Sequence, residues 1–226
     1  MIVGDILTGS LGLLTAALVV LTVRGFQRFR ERPNRVQLAW SSGLALAAAA
    51  MAIETIVYAG VTNGPLLAAY VFLSAAIVGV LSLGAVRVLH RPRLEAGYAY
   101  FTLGACAALA VACAVIPLDA AGMVSGGIIT GNPPLVLLVL STLITGPATV
   151  LLLLSAAYSL RRTWRWQTML MIAGALVLGA GGTLYIASFP IALYYAEFLG
   201  IVLLFLGLIS LPKTDPAHAG TLATTS

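Results

Sequence analysis

The stretch "PLLAAYVFLSAAIVGVLSLGAVRVL", Pro65–Leu89, carries no charged side chain before Arg87. An α-helix needs about 20 consecutive, mainly apolar residues to cross the hydrocarbon core of a bilayer, and this stretch exceeds that length. A barrel strand would alternate apolar and polar residues and span only about ten. Over such a length in lipid, only a helix satisfies its own backbone polar groups without a closed sheet.

The same pattern recurs on both sides. It appears near Ile6–Val23 and Leu38–Ala59 before this stretch, and near Gly97–Leu118, Pro134–Leu160, Gln167–Ser188 and Ile191–Leu211 after it. The sequence therefore predicts an all-α polytopic membrane protein: a single seven-helix transmembrane bundle over residues 1–212, followed by a flexible tail over 213–226. Composition agrees, because only 8% of the 226 residues are charged, against about a quarter in soluble domains. The opening segment lacks the positive n-region of a secretory signal, and its positive charge follows the apolar run, so it reads as a first span that stays attached.

The charges then set the direction. Arg24, Arg28, Arg30, Arg32 and Arg35 fall in the first connection, and Arg87, Arg91 and Arg93 around the third. Arg161, Arg162 and Arg165 fill the fifth, and Lys213 follows the last span. These are all twelve basic residues, and the even-numbered connections hold none. By the positive-inside rule the N-terminus is outside and the C-terminus cytoplasmic, which makes this a multi-pass protein of the cell inner membrane. The net charge of +5 is then a topology signal, and no nucleic-acid partner is expected. Eleven arginines to one lysine, with abundant alanine, point to a GC-rich bacterial genome.

Other features describe the bundle. Trp40, Trp164 and Trp166 stand at cytoplasmic span ends, where an aromatic belt belongs. The segment "RGFQRFRER" reads either as an extension of the first helix along the inner headgroups, stopped by Pro33, or as a solvated basic loop. Gly146 and Pro147 near the middle of the fifth span predict a kink. Spans two, four and six are rich in small residues, which allow close helix packing in lipid. Cys106 and Cys113 lie seven apart in one span and cannot reach each other to form a disulfide.

Two acids interrupt the apolar spans, Glu54 in the second and Glu197 in the seventh. Counted from the outer ends at 1.5 Å per residue, both lie roughly 9–11 Å below the outer surface, which suggests one shared site. A carboxylate near mid-span costs about 2.5–3.5 kcal/mol on insertion scales, and no lysine or arginine lies at that depth to relieve it. Each acid must then be protonated, hydrogen-bonded to a neutral donor, or paired with a proton in transit, a cation or a ligand amine. Tyr58 and Tyr194 share a helix face with Glu54 and Glu197 respectively, and Tyr70 and Tyr185 sit in the outer thirds of spans three and six. The bland reading of the same residues is an aromatic belt plus interhelical hydrogen bonds. Asn132, in the long outer connection, is placed to help cover such a site.

The absences are informative. The two histidines, His90 and His218, lie at the inner end of span three and in the tail. That placement removes bis-histidine haem ligation, intramembrane zinc hydrolysis and Ser–His proteolysis. The one lysine is outside the spans, so no retinal Schiff base can form within one, and the chain carries neither an Asp-Arg-Tyr nor an Asn-Pro-x-x-Tyr motif at the receptor positions. No cofactor, metal site or catalytic residue is expected. An enzyme is the least supported class, because nothing accompanies the carboxylates as nucleophile or metal set.

The expected function is a carrier or ligand-binding protein. Its outer-leaflet cavity would bear two carboxylates and take a small cationic or amphiphilic molecule, or work by proton coupling. The same features fit two other readings: a receptor-like sensor acting on a cytoplasmic partner, or a non-catalytic subunit of a larger membrane complex. Beyond the lipid bilayer, the expected partners are a small-molecule ligand and such a protein.

Overall fold

The computed structural model describes residues 2–31, 33–89, 91–125, 128–129 and 133–163, together with short pieces between 166 and 207. Among the described residues the chain is helical apart from one two-residue ladder. The long helices are α1 (Ile2–Glu31), α2 (Arg35–Tyr58), α3 (Gly64–Val88), α4 (Pro92–Val115) and α6 (Leu135–Thr163). Between α4 and α6 lie the short α5 (Ala120–Met123) and an antiparallel pair, β1 (Val124–Ser125) with β2 (Ile128–Ile129).

Five helices are long and apolar enough to cross a membrane, with mean hydropathy from 1.3 in α1 to 2.4 in α3. They overlap the first five spans expected from the sequence. The sixth and seventh, Gln167–Ser188 and Ile191–Leu211, lie largely outside the described residues. The basic segment after Val23 continues α1 as helix to Glu31, so the helical alternative holds there. α6 also stays helical through Pro147.

Local sequence sets the helix ends. Pro33 cannot continue α1, and Asn34 starts α2 by accepting the Val36 N–H on Oδ1 at 2.9 Å. Asn63 does the same for α3, accepting from Leu66 at 2.8 Å, with Pro65 in the first turn. Between them Gly60 takes a φ of 94°, a conformation that costs a residue with a Cβ dearly.

α3 is the hub, packed against α2, α4 and α6, while α1 packs on α2. The α2–α3 pair is an antiparallel hairpin in constant register. Trp40 of α2 lies over Gly84 of α3, and Leu81 of α3 lies over Gly43 of α2. A Cβ on either glycine would collide with the facing side chain, so the close approach depends on both. This corrects the reading of Trp40 as a belt residue: it is 6% exposed within the core. A glycine on the facing helix offers the indole more contact than the interface does. Trp166 is exposed, and Trp164 lies outside the described residues.

Two apolar clusters stack along the bundle. One runs along α1 and α2 from Leu11 to the end that carries the arginines, the basic end, and includes Leu11, Leu18, Trp40, Leu44, Met51, Leu81 and Leu152. The other lies toward the opposite end and includes Val57, Leu67, Tyr70, Leu109, Leu137 and Ile144. Leu118, Met123 and Ile129 of the α4–α6 connection are buried in this second cluster. That connection therefore folds back over the ends of α2 and α3.

Candidate functional site

Glu54 is one turn from the end of α2, on the face turned to α3, and only 5% of it is exposed. Tyr70, in the second turn of α3, donates its hydroxyl to Glu54 Oε1 at 2.6 Å. Oε2 is buried with no hydrogen-bond partner among the described residues. The α2–α3 register explains the meeting, because the two residues stand equally far from Thr62 in the turn between the helices.

The next residue, Thr55, faces α1. Its hydroxyl lies 3.3 Å from that of Thr15, and each donates back to its own helix, to Met51 O and Leu11 O. Glu54 therefore sits where α3 approaches on one side and α1 on the other. Among the described residues the one ion pair is Arg87–Glu95, at the basic end, so no described guanidinium compensates Glu54. Nor do the described residues include a group of three or more His, Cys, Asp or Glu that could hold a metal.

The residues singled out from the sequence divide into three sets. Glu54 and Tyr70 are brought together. Tyr58, four residues after Glu54, is half-buried and packs against the first cluster instead. Glu197, Tyr185, Tyr194, Asn132 and Arg32 lie outside the described residues. Arg24, Arg28, Arg30, Arg35, Arg91 and Arg93 are exposed at the basic end, and Arg161 and Arg162 belong to the last turn of α6.

Two features escaped sequence reasoning. Tyr98 of α4 and Ser82 of α3 hydrogen-bond at 2.6 Å, and Ser82 Oγ lies 2.7 Å from Gly79 O. The signal was there: Ser82 and Tyr98 stand eight residues either side of position 90 in the turn that joins their helices, as Glu54 and Tyr70 stand eight either side of Thr62. The second is a groove of about 580 Å³ between the start of α3 and the end of α4, lined by residues such as Pro65, Ala68, Phe72, Ala110, Cys113 and Ile116. Apart from the Cys113 thiol its side chains are apolar, and none of the nominated residues lines it.

Chemically, the Glu54 site is a carboxyl group pinned by one oxygen, with the other buried and lacking a partner among the described residues. Tyr70 fixes its rotation, which leaves Oε2 as the atom to carry a proton or accept from a ligand donor. Compared with known proteins, the chain matches no family model, no curated protein and no solved structure. The functional reading therefore stands on this geometry.

Proposed function

We propose that the protein is a carrier or ligand-binding protein of the cell inner membrane, in which Glu54 alternates between a proton and a cationic or amphiphilic ligand. It crosses the bilayer seven times within residues 1–212, with the N-terminus outside and the tail 213–226 in the cytoplasm. Glu197 supplies the second carboxylate, with Tyr185 and Tyr194 beside it. The observation that carries this reading is the buried Oε2 without a partner among the described residues, beside an Oε1 already satisfied by Tyr70. An uncompensated buried charge is expensive, so the site favours states in which it is neutral overall. Either Oε2 holds a proton, or that proton leaves to water and Oε2 accepts a hydrogen bond from a bound cation. Exchange between the two states couples ligand to proton.

The test uses the full chain reconstituted in lipid vesicles, with ethidium, an amphiphilic cation whose amino groups can donate to Oε2, as the probe and an internal pH dye as a second readout. Wild type should accumulate the probe with a linked pH change, and Glu54→Gln should abolish both while the protein stays folded. Uptake by Glu54→Gln equal to wild type between about pH 5 and 8 would overturn the proposal.

A further inference from the structure

We propose that the cleft at the α3–α4 turn binds the phosphate-bearing headgroup of an anionic phospholipid. This turn joins the ends of two helices apolar enough to cross a membrane, which is the level at which headgroups lie. The cleft measures about 390 Å³, and its lining includes Arg91, Pro92, Arg93 and Leu94. Pro92 begins α4, with Arg91 at the N-cap just before it and Arg93 in the first helical turn just after it, both exposed. Leu94, 43% exposed, adds an apolar surface where a lipid's acyl chains begin.

The local charge balance decides the sign of the partner. The one acid of the first α4 turn is Glu95, which would repel a phosphate. It is occupied: Arg87 Nε donates to Glu95 Oε1 at 2.7 Å, and Arg87 Nη1 donates to the carbonyl of Arg35 at the start of α2. Arg87 is thus spent on an internal clasp that neutralises Glu95, and the positive charge of Arg91 and Arg93 remains. Guanidinium groups match phosphate oxygens in a two-pronged geometry. A choline or ethanolamine ammonium on the same headgroup would be repelled by the pair, so a headgroup with net negative charge is selected.

The test is native mass spectrometry of the full chain in detergent, with phosphatidylglycerol and phosphatidylcholine of identical acyl chains added in equal amounts. Wild type should retain phosphatidylglycerol preferentially. Each of Arg91→Gln and Arg93→Gln should lower the preference by about five-fold, the factor that corresponds to about 1 kcal/mol per arginine at an anionic surface. Arg87→Gln should lower it too by releasing the Glu95 carboxylate, and adding Glu95→Gln to that chain should restore it. Arg30→Gln, at the same end but on α1, should leave it unchanged. Thermal midpoints report folding, and the single variants carry the test if the double variant does not fold. Equal retention of the two lipids by wild type would overturn the proposal. So would a loss with Arg30→Gln as large as with Arg91→Gln, which would mean a diffuse basic rim. Displacement of the lipid by millimolar inorganic phosphate would show a free-anion site instead and would equally overturn it.

Discussion

Two buried tyrosines tie α3 to its neighbours, and they do so differently. Tyr98 meets Ser82 at 2.6 Å, and Ser82 Oγ also reaches Gly79 O. Donors and acceptors are matched there, so the arrangement is complete in itself. Tyr70 meets Glu54 at the same distance, but the carboxyl keeps a second buried oxygen without a hydrogen-bond partner among the described residues. Both ties join adjacent helices in register, and both are the kind of interhelical hydrogen bond that lipid-embedded bundles use. A closed pair explains itself as packing. An open one keeps a chemical capacity that packing does not need, and for this reason the functional reading rests on Glu54 and not on Ser82.

The sharpest way to break this comparison is to wedge only one of the two seams. Gly84→Leu places a side chain where Trp40 lies, on the α2 side of α3 and away from Ser82. It should destabilise the protein by about 3 kcal/mol, the upper end of the usual overpacking cost, and disturb the Glu54 site while sparing Tyr98. Thermal unfolding in detergent measures the loss, and an unchanged midpoint would mean the α2–α3 seam is looser than the structure shows.

Removing the hydroxyls tests the open and closed pairs directly. Tyr70→Phe strips Glu54 of its one described donor and should cost about 1–3 kcal/mol, as expected for a buried polar group left unsatisfied. Tyr98→Phe leaves Ser82 its carbonyl partner and should cost about 0.6 kcal/mol, the average for such bonds in membranes. Adding Glu54→Leu to Tyr70→Phe should recover most of the stability, because no polar group is then stranded. Equal costs for the two Phe variants, read from denaturant titrations in mixed micelles, would erase the distinction.

The smallest effect belongs to the partly solvated tie. The side chains of Arg87 and Glu95 are 23% and 30% exposed, so Glu95→Gln should cost only about 0.5 kcal/mol, and less in high salt. A cost above that of Tyr70→Phe would place the main polar anchor at the basic end.

Much of the architecture was legible because one signal, the length of apolar runs, dominates in lipid. The helix-starting roles of Asn34 and Asn63 were not drawn from the sequence, although each caps with its own side chain and the signal is local. Glu54 stood out because a lone acid in an apolar span is costly. Its partner was less legible. A same-helix argument favours Tyr58, four residues away, whereas the contact is made across the turn by Tyr70. Choosing between them requires the hairpin register, and that register depends on Gly43 and Gly84 admitting Leu81 and Trp40. Trp40 was misplaced for the same reason: its own character suits an interface, and only the facing glycine makes a buried seat. The α3–α4 groove was invisible in the sequence, because the separation of two helices is set by everything packed around them.

The α2–α3 register also bears on how such a chain enters a membrane during synthesis. A single helix with a solitary acid is a poor substrate for insertion, since the carboxyl would cross into hydrocarbon unaccompanied. Glu54 and Tyr70 stand eight residues either side of Thr62, which lies within a turn of only five residues, 59–63. When α2 and α3 fold together as a hairpin, the acid and its phenol donor reach the same depth at the same moment. The glycine-to-bulky contacts farther along set that alignment, so the smallest residues in the hairpin govern whether its most polar one can be delivered at all.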